Sequence, residues 1–315
     1  MKIVVLDRLT LGDDLDISKA YELGEVVSYD KTEPDEIKDR IIDADVVYVN
    51  KAKLNEENLK DAKNLKLICE AATGYDNIDV EYCKKAGIAV CNVPGYSVYS
   101  VAQVTASMVL SLNNHLREYN SHVSSGAYSN GNSANMLKPV YHELLGKTWG
   151  IIGYGAIGKQ VGKIAEALGC NIIVYKRTEE EGIKITDIDT LIKNSDIISV
   201  HLPLSSETKN LINKERIALM KETAIFVNTA RGAVTDEEAL CSAVKEGKIA
   251  GFGTDVYSVE PFPVDSPFYE IKDYVNVCLT PHMAWGSKEA RERCFSEMIK
   301  NTNAFYNGEI RNRVD

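Results

Sequence analysis

The sequence is short of several things, and each shortage removes a class of function. No apolar run in its 315 residues approaches the roughly 20 that a membrane-spanning helix requires, so no membrane partner is expected. The opening MKIVVLDRL carries only Ile3 to Leu6 before Asp7, too short a stretch for a secretory leader, and a cytoplasmic location is the expectation. Positive charge is in deficit, with 36 Lys and Arg against 46 Asp and Glu for a formal net charge of -10. With no long basic run to offset that balance, a polyanion would be repelled and nucleic acid is not an expected partner. The seven cysteines form no CxxC pair, and the histidines and cysteines show none of the short ligand spacings of zinc sites. Free thiols in a reducing compartment and no metal are the corresponding expectations.

What remains is ordinary globular material, 44% hydrophobic and 26% charged, in a chain long enough for two domains. The first hundred residues alternate short β-like runs (Ile3 to Leu6, Val46 to Val49, Leu65 to Cys69, Ile88 to Cys91) with helix-compatible stretches. A capping box, Ser100-x-x-Gln103, predicts the start of one long helix through VAQVTASMVLSLNNHLREY. Residues 126–140 are polar and rich in Gly, Ser and Asn, which predicts a surface loop. A second series follows, with strands at Thr148 to Ile152, Asn171 to Tyr175, Ile197 to Leu202, Ala224 to Thr229, Ala250 to Thr254 and Val275 to Leu279. Six strands with crossovers predict a doubly wound parallel sheet, so the fold class is α/β with two domains. The helical pattern from Ser287 to Tyr306 is expected to return to the first domain, giving 1–99 with 287–315 as one domain and 100–286 as the other.

Gly153-Tyr-Gly155-Ala156-Ile157-Gly158 directly follows the β-like TWGII and opens a stretch whose apolar residues fall on one helical face. In that setting the glycines permit a tight turn and close approach of backbone to a pyrophosphate, which the helix N-terminus then holds. The next strand, NIIVY, ends in Lys176-Arg177-Thr178, where an NAD-specific site carries an acid. Two cations and a hydroxyl suit a 2′-phosphate, so NADP(H) is slightly favoured over NAD(H), although Glu179, Glu180 and Glu181 follow at once.

Three later stretches place polar residues just beyond apolar strands: Arg231 in AIFVNTARGAV, Asp255 and Glu260 in GFGTDVYSVEP, and His282 in VCLTPHMAWGS. Ligands of open parallel sheets bind outside the carboxyl ends of the strands, where these residues are expected. Their chemistry suits reduction of a 2-oxo acid. His282 would donate the proton, Glu260 would orient the imidazole, and Arg231 would bind the carboxylate and polarise the carbonyl.

Together with the GYGAIG loop, these stretches resemble the D-isomer-specific 2-hydroxyacid dehydrogenase family along nearly the whole chain, most of all its glycerate dehydrogenase (hydroxypyruvate reductase) branch. NKAKLNEENL at 50–59, AATGYDNID at 71–79, NVPGYSVYSVAQ at 92–103 and PHMAWGSKEARER at 281–293 carry the likeness. The resemblance implies Arg231, Glu260 and His282 as the catalytic set, and Asp255 near the nicotinamide. It further implies that Thr229-Ala230 and His201-Leu202-Pro203 line the cofactor crevice, and that N–H groups around Thr73-Gly74-Tyr75 bind the substrate carboxylate. It implies too a flavodoxin-like substrate domain, an inserted Rossmann domain and a homodimer. Trp285 reads equally as a core aromatic or a wall of the substrate pocket; as a wall it would favour hydroxypyruvate or glyoxylate over branched acids. D-lactate or branched-chain dehydrogenases, and nucleotide-sensing corepressors of related fold, are the alternatives.

Overall fold

The computed structural model describes residues 1–178 and 181–315, so Glu179 and Glu180 lie outside the described residues. The chain divides into two compact units, Met1–Ser97 with Trp285–Asp315, and Val98–Ala284.

In the first unit, β1 (Lys2–Val5), β2 (Glu25–Ser28), β3 (Val46–Val49), β4 (Leu67–Glu70) and β5 (Ala89–Cys91) form a parallel sheet in the order β2-β1-β3-β4-β5. β3 and β4 are buried along their whole length, as parallel strands covered on both faces must be, which is why they read as unbroken apolar runs. β2 escapes that reading because it is an edge strand whose outer residues, Glu25 and Ser28, are exposed. The Lys288–Tyr306 helix, capped by Ser287 through the Ala290 N–H, packs on this sheet. Tyr48 meets Phe295 edge to face at 6.1 Å, and its hydroxyl hydrogen-bonds Thr302 Oγ1 at 2.8 Å inside the core. The last residues then cover the β5 edge, with Val314 N donating to Val90 O and Asn92 N to Asn312 O.

In the second unit, β6 (Thr148–Ile152), β7 (Asn171–Tyr175), β8 (Ile197–Val200), β9 (Ile225–Asn228), β10 (Gly251–Thr254) and β11 (Val277–Leu279) are parallel in the order β11-β10-β9-β8-β6-β7. The winding reverses between β6 and β8, which makes that boundary the ligand-binding crevice by topology. Trp149 is fully buried, and its indole N–H reaches Ser199 Oγ at 2.9 Å, so even its polar handle is satisfied.

Two local expectations fail. The helix predicted from a Ser100 capping box begins at Val98 instead, and Ser100 is buried within it, donating its hydroxyl to Ala284 O at 2.6 Å. A tertiary partner therefore took the side chain that a cap would have used. The same helix ends at Asn113, because His115 adopts a left-handed φ of 50° and a separate helix, Leu116–Ser124, starts after it.

Candidate active site

The crevice of the second unit begins at the turn after β6. Gly153 has φ 95°, and a Cβ there would lie 2.7 Å from the His201 carbonyl oxygen. At Gly158 a Cβ would lie 2.1 Å from the Gly153 carbonyl oxygen, so only glycine lets the Ala156–Ala167 helix approach the turn this closely. Gly155 and Ala156 are exposed and Ile157 half-buried at the start of that helix, whose first-turn N–H groups have no intrahelical acceptor. This is a cradle for an anion of the size of a pyrophosphate. The residues present therefore fit a dinucleotide.

At the end of β7, Lys176 is half-buried while Arg177 and Thr178 are exposed. Arg177 Nη1 stands 3.3 Å from Glu207 Oε2, with both side chains largely in solvent. After β8, His201 accepts or donates at Nε2 to Ser199 Oγ at 3.0 Å, and its buried Nδ1 has no hydrogen-bond partner among the described residues. Burial alone pushes its imidazole down to about 3, so it is neutral near physiological pH. Leu202 packs partly against the core beside it, and Pro203 is exposed.

Beyond β9, Asn228 organises the turn that carries Thr229, Ala230 and Arg231. Its Nδ2 donates to Arg231 O at 2.9 Å, and its Oδ1 accepts from Ala230 N at 3.0 Å. Thr229 Oγ1 shares a 2.9 Å hydrogen bond with Thr105 Oγ1, and Arg231 Nη1 donates to Ala230 O at 2.9 Å. Sequence reasoning passed over Asn228; its only signal was an amide closing an otherwise apolar strand.

Beyond β10 and β11 the geometry tightens. Asp255 is buried, and its two oxygens accept from Thr280 Oγ1 at 2.6 Å, Met283 N at 2.8 Å and Ala284 N at 2.8 Å. Burial raises its carboxyl above the ordinary range, and those three donors oppose the shift. The clamp closes the turn in which His282 adopts a left-handed φ of 53°. That conformation brings His282 Nδ1 to 2.6 Å from Glu260 Oε2, while Glu260 Oε1 accepts from Tyr257 N at 3.0 Å. Glu237, which sequence reasoning also missed, anchors the same turn by accepting from Ser258 N at 2.7 Å.

In the first unit, Thr73 is tied down by its hydroxyl, which donates to Val93 O at 2.9 Å, and by Asn92 Nδ2, which donates to Thr73 O at 2.7 Å. The backbone N–H groups of Thr73, Gly74 and Tyr75 have no acceptor among the described residues. Trp285 belongs to this unit, where it meets Tyr96 edge to face at 6.2 Å.

The second unit thus holds a nucleotide-binding turn and a paired imidazole and carboxylate, the equipment of a dehydrogenase. Residues 106–284 match the family described as D-isomer specific 2-hydroxyacid dehydrogenase, NAD binding domain. The chain is 38% identical to a hydroxypyruvate reductase of Blautia hydrogenotrophica, with all of both chains covered. It is 36% identical to a glycerate dehydrogenase of Methylorubrum extorquens, covering 100% of this chain and 99% of that one. The solved structure of an acyclic imino acid reductase in complex with NADPH and D-Arg superposes with a TM-score of 0.89 at 30% identity over the full length of both. The chain belongs to the D-isomer specific 2-hydroxyacid dehydrogenase family, and is a nicotinamide-dependent oxidoreductase of 2-hydroxy and 2-oxo acids. Among the described residues no helix is long and apolar enough to cross a membrane.

Proposed function

We propose that the chain reduces a small 2-oxo acid of the hydroxypyruvate or glyoxylate class to the D-2-hydroxy acid, with NADP(H) preferred over NAD(H). The observation that carries this reading is the 2.6 Å contact between His282 Nδ1 and Glu260 Oε2. Because Nδ1 is committed to the carboxylate, Nε2 is the nitrogen that gives its proton to the oxygen on C2 as that oxygen gains charge. Glu260 fixes the ring, and Arg231 pairs with the substrate carboxylate and polarises the carbonyl. When bound, the nicotinamide supplies the hydride that C2 accepts. The cofactor residues are Gly153 to Gly158, Lys176 to Thr178, His201 to Pro203, Thr229-Ala230 and Asp255. In the first domain, the free N–H groups of Thr73, Gly74 and Tyr75 are assigned to the substrate carboxylate. Trp285 is assigned to the wall that keeps the pocket small.

The preference for NADP(H) rests on Lys176, Arg177 and Thr178 at the end of β7. The exposed contact from Arg177 to Glu207 is of the kind that contributes little, so the guanidinium is available to a 2′-phosphate at small cost. We also place the protein in the cytoplasm, where its free thiols, buried except for the half-buried Cys278, stay reduced, and assign it a homodimer. Leu116, Val123, Leu137, Val140, Tyr141 and Leu145 are each more than half exposed within one thirty-residue stretch, apolar side chains that a second copy could cover.

Initial rates of NADPH and NADH oxidation with hydroxypyruvate, glyoxylate, pyruvate and 2-oxoisocaproate test the reading. Hydroxypyruvate or glyoxylate with NADPH should give the highest kcat/KM, and His282→Ala should abolish turnover. A higher kcat/KM for 2-oxoisocaproate points to the branched-chain alternative, and negligible turnover with every acid to a corepressor-like binder. An unchanged NADPH affinity in Lys176→Asp rejects the cofactor preference.

A further inference from the structure

Glu70 ends β4 with its side chain fully buried, in surroundings that suit no carboxylate. Asn77 Nδ2 donates to Oε2 at 3.0 Å, while Oε1 has no hydrogen-bond partner among the described residues. Asn50, just past the adjacent β3, also leaves its buried Oδ1 unpaired, its Nδ2 being given to Ala71 O at 3.0 Å. The charged and titratable neighbours are Asp7 beyond β1, Lys51 beyond β3, Asp76 in the following loop, and the thiols of Cys69 and Cys294. Burial pushes the Glu70 carboxyl well above the ordinary glutamate range, which favours its uncharged form.

What Glu70 holds is a junction of two loops. The amide of Asn77 that donates to Glu70 also donates to Ala52 O at 3.1 Å, and the Asn77 carbonyl accepts from Leu54 N at 2.8 Å. Residues 50–52 are in turn gripped by Asp7, whose carboxylate accepts the N–H groups of Asn50, Lys51 and Ala52. Between Glu70 and Asn77 lie Thr73, Gly74 and Tyr75, with their unpaired backbone N–H groups.

We propose that Glu70 is a positioning residue: through Asn77 it pins the 71–79 loop so that the N–H groups of Thr73, Gly74 and Tyr75 stay presented to the carboxylate of the 2-oxo acid. This rests on the assignment of that loop to substrate under the proposed function. Burial beside Asp7 and Asp76 disfavours charge on this carboxyl, so the hydrogen bond to Asn77 holds the loop without a buried ion pair.

Steady-state kinetics with hydroxypyruvate separate the possibilities. Glu70→Ala, which loses one hydrogen bond, should raise KM for the acid about fivefold to tenfold, and Asn77→Ala, which also loses the bond to Ala52 O, at least as much, with kcat and the cofactor KM within about twofold of wild type. Glu70→Gln, which has the shape of the uncharged acid, should restore KM. A second readout is pH. A carboxyl raised in the fold contributes stability below the ordinary glutamate value of 4.5 and loses it as pH rises toward the folded value. Glu70→Gln should therefore gain on wild type in denaturant midpoint steadily as pH rises above 4.5. If Glu70→Ala does not fold, Asn77→Ala and the pH series of Glu70→Gln carry the test. Unchanged KM in the folded alanine variants, a Gln variant as impaired as the Ala variant, or a midpoint difference constant with pH overturns the proposal. Turnover surviving in His282→Ala overturns the reading of the site itself, a separate failure.

Discussion

Replacing Glu260 by Gln keeps the shape of the side chain and removes the charge from its 2.6 Å contact with His282 Nδ1. A hydrogen bond to a charged group contributes about 1.5–3 kcal/mol. Since about 1.4 kcal/mol is a factor of ten in rate, kcat/KM for the 2-oxo acid should fall about tenfold to a hundredfold. Stability should hardly move, because the two side chains are 30% and 25% exposed and pairs so open to water contribute at most about 1 kcal/mol. Glu260→Ala should lose more activity, since it also takes the acceptor from Tyr257 N and leaves the turn to the Ser258–Glu237 and Tyr257–Thr280 contacts. The assay is initial-rate NADPH oxidation beside a thermal melt of each variant. A folded Glu260→Gln with kcat/KM within about twofold of wild type refutes the reasoning. So does an activity loss that a fall in Tm accounts for.

Gly158→Ala should fold less stably by about 1–3 kcal/mol, because the added Cβ meets backbone rather than a yielding side chain, and dinucleotide affinity by fluorescence titration should fall with it; unaltered affinity and Tm would show the helix has room to retreat. Asp255→Asn turns one acceptor oxygen into an N–H group facing the donors Thr280, Met283 or Ala284, so stability should drop by about 1–3 kcal/mol and kcat more than KM, as the His282 turn loosens. Full kcat in the folded variant would separate Asp255 from the placement of His282. His201 supplies a pH prediction: its folded value of about 3 lies below the ordinary 6.5, so the unfolded chain binds the extra proton and stability is lost as pH falls from 6.5 toward 3. The slope from this group is at most about 1.4 kcal/mol per pH unit, and urea denaturation of His201→Gln across that range should show a flatter profile. An identical slope would mean that His201 protonates freely in the fold.

Strands buried on both faces, such as Val46–Val49 and Ile197–Val200, read plainly in the sequence because their apolar runs are uninterrupted. β2 was illegible for the opposite reason, being an edge strand with polar residues at both ends. Ser100 misled because hydroxyls serve caps and tertiary acceptors alike, and only packing showed that it had Ala284 O to bond. The break at His115 carries no proline or glycine signal, because His115 itself takes the left-handed conformation between the two helices.

Of the candidate site, the sequence by itself determined the residue types and their places after successive strands: the glycines of the first turn, and Arg231, Glu260 and His282. Chain connectivity puts residues that follow parallel strands at one end of a sheet, so their general location needed no coordinates. Tertiary structure alone decided which groups bond one another. It set the 2.6 Å pairing of His282 with Glu260, the Asp255 clamp on the turn in which His282 is left-handed, and the support from Asn228 and Glu237. It also disclosed Glu70, which in sequence is one acid ending an apolar strand and in the fold is a buried group with an unpaired oxygen. The reason is physical. Composition and order along the chain fix which groups exist and near which strand end they emerge, whereas hydrogen-bond partners and desolvation depend on neighbours that the fold brings from distant positions.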